Sequence, residues 1–265
     1  MPVPAPTQRT RVEMSPLAQA VAHYREHGWA RIPALAPLET LERLRARANE
    51  IATGRVTYPG LFFQPDTPTG NYADLAFGQG WAGPDVPYRK IEKLEKDPEF
   101  WAWLAGEQLR ALVAEVIVGP VSLYRAVLFS KAPTTGSDLP WHQDAGRFWG
   151  LSRDPELQVW TALDDAPPES GCLEVFPGSH KLGLATPLGG VVPTARVLEA
   201  QADEHAIRVP AAAGDVILLH NHLWHRSGRN RTGNIRRAFT VCYLPRDTRC
   251  LRKKRDPRVF VPVFE

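Results

Sequence analysis

Beyond Gly119-Pro120 the chain changes its period. Val121 to Lys131, Leu157 to Leu163, Cys172 to Phe176, His205 to Val209, Asp215 to His222 and Arg236 to Leu244 are short runs rich in β-branched, aromatic and aliphatic residues, with Gly, Pro, Asn and Asp between them. Runs of this length with turn chemistry at both ends predict strands. Many short strands can bury their apolar faces only against a second sheet or by closing on themselves, so the pattern predicts a mainly β fold, a barrel or jelly roll.

The first 119 residues follow other rules. Residues 1–14 read as a flexible lead. Ser15-Pro16 supplies an N-cap and a first-turn proline, Gly28 closes the helix, and Leu17, Val21 and Tyr24 share its buried face. Gly28 to Pro33 predicts a short strand, and Pro37 to Ile51 an amphipathic helix with Leu38, Leu41, Leu44 and Ala48 inward. Asp97-Pro98-Glu99 starts another helix, bent near Gly106 and ending at Val118. From Thr53 to Arg89 the pattern dissolves into Gly, Pro, Asn and aromatics. Phe62, Phe63, Tyr72, Phe77, Trp81 and Tyr88 there suit either a pocket cover or a packed irregular surface layer.

No repeat or linker divides the 265 residues, so a single domain is expected: helical support and a substrate lid over 15–119, a β core over 120–245 and a C-terminal tail over 246–265. A net charge of +3 and no basic run interleaved with aromatics argue against a nucleic-acid partner. Arg252-Lys253-Lys254-Arg255 reads as solvated surface. Cys172, Cys242 and Cys250 are too irregularly spaced for a disulfide framework or a zinc site, which points to a reducing compartment. Met1 to Arg11 lacks the apolar core of a signal peptide, and no window has the apolar length of a membrane span. The expectation is a cytoplasmic protein with no membrane partner, as a monomer or homodimer.

The chemistry concentrates in two stretches. In Pro140-Trp141-His142-Gln143-Asp144, an imidazole and a carboxylate two residues apart project to one side of an extended strand. Leu218-Leu219-His220-Asn221-His222-Leu223-Trp224-His225 offers a third ligand: His225, with His220 and His222 as competitors. Two histidines and one carboxylate leave the far side of a metal open, which suits a non-haem Fe(II) centre. Ser227 and Arg236 follow. A guanidinium on a strand entering the core needs an anion there, and it grips a carboxylate bidentately. Arg237, on the opposite face, is expected to meet solvent. Metal ligands plus a carboxylate anchor describe a site for a 2-oxo acid.

Trp141-His142-Gln143-Asp144, then Glu169-Ser170-Gly171-Cys172-Leu173-Glu174-Val175-Phe176-Pro177-Gly178-Ser179-His180, then His225-Arg226-Ser227-Gly228 and Arg236-Arg237-Ala238 resemble the phytanoyl-CoA dioxygenase family over roughly residues 85–245. The resemblance implies a double-stranded β-helix (jelly roll, cupin-like) and an Fe(II)/2-oxoglutarate-dependent oxygenase. His142, Asp144 and His225 would ligate iron, and Arg236 and Ser227 would hold the distal carboxylate of 2-oxoglutarate. Trp160, Lys93 and Val127 match further cosubstrate contacts. It implies oxidation by O2 of an unactivated C–H in a small-molecule metabolite, a natural product or amino acid, with release of succinate and CO2. It does not imply a CoA thioester. Family members that halogenate carry a small residue where Asp144 stands, so hydroxylation is expected. The substrate pocket is expected from the 54–89 region with Arg147, Phe148 and Trp149. The competing reading is a non-catalytic or other-metal cupin-like binding protein, in which Arg236 and Ser227 have no task.

Overall fold

A computed structural model describes residues 14–253 and 258–265. Residues 1–13 of the expected lead, and Lys254 and Arg255 of the basic run, lie outside the described residues. The strands in chain order are β1 (Trp29–Ile32), β2 (Phe62–Pro65), β3 (Tyr88–Glu92), β4 (Val121–Lys131), β5 (Leu139–Gln143), β6 (Leu157–Ala162), β7 (Leu173–Val175), β8 (Gly190–Val191), β9 (Ile207–Val209), β10 (Val216–Leu219), β11 (His225–Ser227), β12 (Arg236–Pro245) and β13 (Val261–Phe264). The larger sheet runs β1-β10-β6-β12-β4-β3-β2 with β13 added to β4, and the smaller runs β8-β5-β11-β7-β9. Together they form the expected double-stranded β-helix.

Period-two alternation along β12 divides the core. Phe239 and Val241 join Leu128 of β4 and Val159 of β6 on the outer face. Helices α1 (Pro16–His27), α2 (Leu38–Ala52), α3 (Pro98–Leu104) and α4 (Glu107–Ala114) cover that face, with Leu41, Leu44, Phe100, Leu104, Leu109 and Leu112 in the same cluster. Ala238 faces inward with Trp160, Ile217 and Leu219, and meets Leu173, Val175 and Val209 of the smaller sheet. Each large side chain buried here contributes roughly 1.5–3 kcal/mol.

The helix signals hold locally. Ser15 Oγ accepts from the Ala18 amide at 3.2 Å, and Gly28 takes the left-handed φ of 82° that its cap position requires. Asp97 is fully buried, yet both carboxylate oxygens are used. Oδ1 accepts from the Glu99 and Phe100 amides, and Oδ2 from Tyr58 at 2.8 Å and Arg47 at 3.0 Å.

Several expectations shift. Leu38 is exposed, because Pro37 is the N-cap and the first helical residue lies outside the buried stripe. The 53–89 stretch is not irregular throughout: β2 pairs with β3 and extends the larger sheet. His205 ends a short helix (Ala202–His205) instead of starting a strand. β10 stops at Leu219, so His220 and His222 lie in the following turn and share no strand face. Arg237 is buried, held by Asp164 at 2.8 and 3.0 Å and by Asn49 of α2 at 2.8 Å, because its face of β12 lies under a helix and not under water. The C-terminal stretch is no free tail, since β13 returns to pair with β4. No helix among the described residues is long and apolar enough to cross a membrane.

Candidate metal centre

The smaller sheet places His142 and His225 as direct register partners on β5 and β11. Their rings lie 4.0 Å apart between centroids, and Asp144, just past the end of β5, closes the group. One ligand atom from each of the three lies within 4.8 Å of the others. Each imidazole is fixed the same way: Nδ1 of His142 meets the Pro140 carbonyl, and Nδ1 of His225 the Leu223 carbonyl, both at 2.9 Å. A carbonyl takes only a donor, so Nδ1 carries the proton and Nε2 keeps its lone pair for a metal. Burial, then the neighbouring His225, holds the His142 pKa down at about 3, so it is a neutral ligand. Burial alone would raise the Asp144 carboxyl, but Arg125, His142 and His225 together hold it below the usual carboxylate range.

Arg125 is the residue the sequence reading missed. Its Nη2 lies 3.0 Å from Asp144 Oδ2, Gln158 Nε2 donates to the same oxygen at 2.7 Å, and the guanidinium stacks over Trp149 at 4.5 Å. Arg125, Val127, Phe129 and Lys131 alternate along β4, so strand parity would have turned a cation toward the inward carboxylate. His222 is excluded as a ligand by its bond to Asp154 at 2.8 Å, and the His220 ring sits 5.0 Å from His180.

A cavity joins the triad to Arg236. Arg89, Lys131, Trp160, Ser227, Arg236 and Thr240 line it beside His142, Asp144 and His225. Arg236 is buried; Nη2 donates to the Gly171 carbonyl at 2.9 Å, while Nε has no partner among the described residues. Burial pushes its pKa from 12.5 down to about 10. Gly171 must be glycine, with φ of 73° and the Gly228 carbonyl where a Cβ would sit. Lys131, paired opposite Arg236 across β4 and β12, is buried with its ammonium on the Ser137 carbonyl. Burial, with Arg236 and Arg89 nearby, pushes that amine well below its ordinary value. Ser137 Oγ and Thr240 Oγ1 are also buried in this wall without partners among the described residues. Buried polar groups are nearly always bonded, so this cluster of orphans marks space for a polar, anionic ligand.

Of the remaining expected contacts, Trp160 lines the cavity, with the Arg236 guanidinium 5.9 Å from its ring. Val127 is fully buried on the inward face of β4 opposite Thr240, behind the lining. Lys93 is not brought to the cavity. It follows β3 in the left-handed conformation (φ 70°), which breaks the strand alternation and leaves it exposed.

A second cavity, of about 490 Å³, lies on the other side of Arg125. Phe62 and Phe77 from the 54–89 region and Phe148 and Trp149 line it, whereas Arg147 does not. Phe63 and Tyr88 are instead core residues, and Trp81 donates to the Ala52 carbonyl at the end of α2.

Comparison with known proteins agrees with this arrangement. The phytanoyl-CoA dioxygenase (PhyH) family model matches residues 24–238. The peroxisomal phytanoyl-CoA dioxygenase of Rattus norvegicus is 28% identical over 242 residues, covering 87% of this chain and 69% of the relative. The epimerase SnoN, solved with Fe3+, alpha ketoglutarate and nogalamycin RO, superposes with a TM-score of 0.73 at 19% identity, covering 94% of this chain and 96% of that one. EctD from S. alaskensis with bound Fe has a TM-score of 0.69 at 21% identity, covering 88% and 78%. With the match running from α1 through His142, Asp144 and His225 to Ala238 in β12, this chain belongs to the phytanoyl-CoA dioxygenase family.

Proposed function

We propose that the protein is an Fe(II)/2-oxoglutarate-dependent oxygenase that hydroxylates an unactivated C–H of a small-molecule metabolite. The observation that carries this reading is the pairing of an open His-Asp-His triad with buried, unpartnered donors at the other end of one cavity. A hydrolytic or structural metal site would leave Arg236 buried and unanswered, at a cost the fold has no other reason to bear.

His142 and His225 would hold iron through Nε2, and Asp144 would supply the negative ligand. Arg236, with Ser227 beside it, would take the distal carboxylate of 2-oxoglutarate in charge-assisted hydrogen bonds. Trp160 would form the wall beside the cosubstrate. When bound, the iron, cosubstrate and O2 supply the oxidation, in which one oxygen atom enters the substrate C–H bond and the other leaves in succinate, alongside CO2. The chain positions the carbon and excludes water. The carboxylate of Asp144 fills the place that a halide would need, which favours hydroxyl transfer over chlorination. The three cysteines are free, which supports a reducing compartment, and we assign the protein to the cytoplasm.

The test is an anaerobic titration of metal-stripped protein with Fe(II) and 2-oxoglutarate, read by the visible metal-to-ligand charge-transfer band. A band that His225→Ala abolishes is expected. Folded, iron-loaded protein with no band would refute the proposal.

A further inference from the structure

The 490 Å³ cavity beside Arg125 has a composition of its own. Its walls are flat. Tyr124 and Trp149 stack at 4.5 Å with 16° between their planes, and Phe148 and Phe77 stand at the rim, 65% and 85% exposed. Large exposed rings around a concave opening mark a ligand site, because water contact there is unfavourable until something covers them.

Its charges sort into used and unused. Lys90 is paired with Glu92, and Arg125 with Asp144. Arg252 and Arg258 are the cations left over. Each donates one Nη2 to a carbonyl, of Phe148 and Tyr124 respectively. Both line the cavity, and neither meets a carboxylate among the described residues. Arg258 lies 5.0 Å from the Tyr124 ring and 5.3 Å from Phe260, and Arg252 lies 5.9 Å from Phe148. Aromatic faces beneath a guanidinium hold its plane in place and leave its edge for an anion.

Both arginines come from the chain after β12. Leu251 donates to the Gly150 carbonyl at 2.8 Å, Leu151 and Cys250 form a bridge, and β13 returns to β4. This stretch lies beyond residue 238, where the family match ends. The metal ligands lie within the family match, and Arg252 and Arg258 lie beyond its end.

We propose that this cavity takes the substrate, and that the substrate is a small organic acid with a flat ring body, its anionic group on Arg252 and Arg258. The inference rests on the oxygenase reading, since Arg125 both lines this cavity and pairs with Asp144 at 3.0 Å. The ring lies among Phe62, Phe77 and Phe148, which line the same cavity. A carboxylate at the strap end fixes which edge of the ring turns toward the iron, so Arg252 and Arg258 set the position of attack as well as affinity.

Equilibrium dialysis of the anaerobic Fe(II)/2-oxoglutarate protein tests this with 2-naphthoate, neutral 2-naphthalenemethanol, cationic 2-naphthylmethylamine and coenzyme A. Naphthoate is expected to bind about tenfold tighter than the neutral and cationic probes, the scale of one charge-assisted hydrogen bond. Arg252→Gln/Arg258→Gln is expected to reduce it to the neutral probe's level, with the charge-transfer band intact as the control for folding. Each single variant should lose part of the preference. Equal retention or no retention of the probes, an unchanged preference in the double variant, or coenzyme A binding tighter than naphthoate would overturn the proposal. Absence of the band in the unaltered protein sinks the oxygenase reading instead, whatever naphthoate does.

Discussion

Replacing Arg236 by methionine should make the ligand-free protein more stable while removing its cosubstrate. The guanidinium is buried and its pKa is pushed from 12.5 to about 10 by burial. At about 1.4 kcal/mol per tenfold, the charge costs the empty fold roughly 3 kcal/mol. For a base with a depressed folded value the cost is complete below about pH 10 and fades toward 12.5, so a neutral buffer sees all of it. Methionine has similar length and no charge, but it leaves the Gly171 carbonyl without its donor, a loss of about 1 kcal/mol. The net gain is about 1–2 kcal/mol, a rise in Tm of roughly 2–8 °C for a chain of this size. Differential scanning calorimetry of metal-free protein measures it. Adding Fe(II) and 2-oxoglutarate without oxygen should then raise the unaltered protein by about 2.7 kcal/mol at a hundredfold excess over Kd. The variant should gain less than about 1 kcal/mol from 2-oxoglutarate, because losing one partner of a buried charge pair costs about 2–5 kcal/mol. A variant that melts below the unaltered protein, or that gains as much from 2-oxoglutarate as the unaltered protein does, would refute the reasoning.

Asp144→Gly should open the ligand position held by the carboxylate, so that iron binding weakens and becomes chloride-dependent while hydroxylation of any identified substrate stops; hydroxylation at the original rate contradicts the ligand assignment. The metal-free fold should weaken as pH falls. His142 and His220 are each held at about 3, by burial first and neighbouring histidines second. The unfolded chain takes up these protons near 6.5, so stability complete above that value drains away toward pH 3. His220→Asn should flatten the decline in Tm, and a Tm constant from neutral pH to pH 4 would count against the burial argument. Phe239→Ala, at a fully buried position packed 4.7 Å from Phe100, should cost about 3–5 kcal/mol in urea unfolding; less than 1 kcal/mol would mean that the helical layer collapses onto the gap.

The triad and Arg236 were legible because strand parity alone tells which of two neighbouring residues faces inward. His142 and Asp144 share parity, and so do His225 and Ser227, all four on the cavity. Parity also turned Arg237 outward correctly, but nothing local shows that α2 covers that face and supplies Asn49. Arg125 and Lys131 sit in a run that reads as an apolar strand, and their roles depend on partners from β6, the turn after β5 and the loop before it. Lys93 was named by resemblance alone, and nothing local shows that a left-handed residue ends the strand there and leaves the side chain exposed. The strap after β12 was opaque for a different reason. Its arginines are defined by rings on β4 and after β5, about a hundred residues away in sequence, and short basic runs are usually just hydrated.

Lys131 and Arg236 face one another across β4 and β12, at the end of a long ladder. Like charges in directly opposed positions work against the pairing that places them there. That end of the sheet is therefore where the ligand-free ladder opens soonest, and amides from Ser130 to Ala132 and Arg236 to Ala238 should exchange with deuterium ahead of the rest of β12. Under the proposed function, the carboxylate that Arg236 would take up would offset that repulsion and hold the two strands together. On that reading, resistance to proteolysis would follow the supply of the acid, so that its concentration would set the amount of the protein as well as its rate.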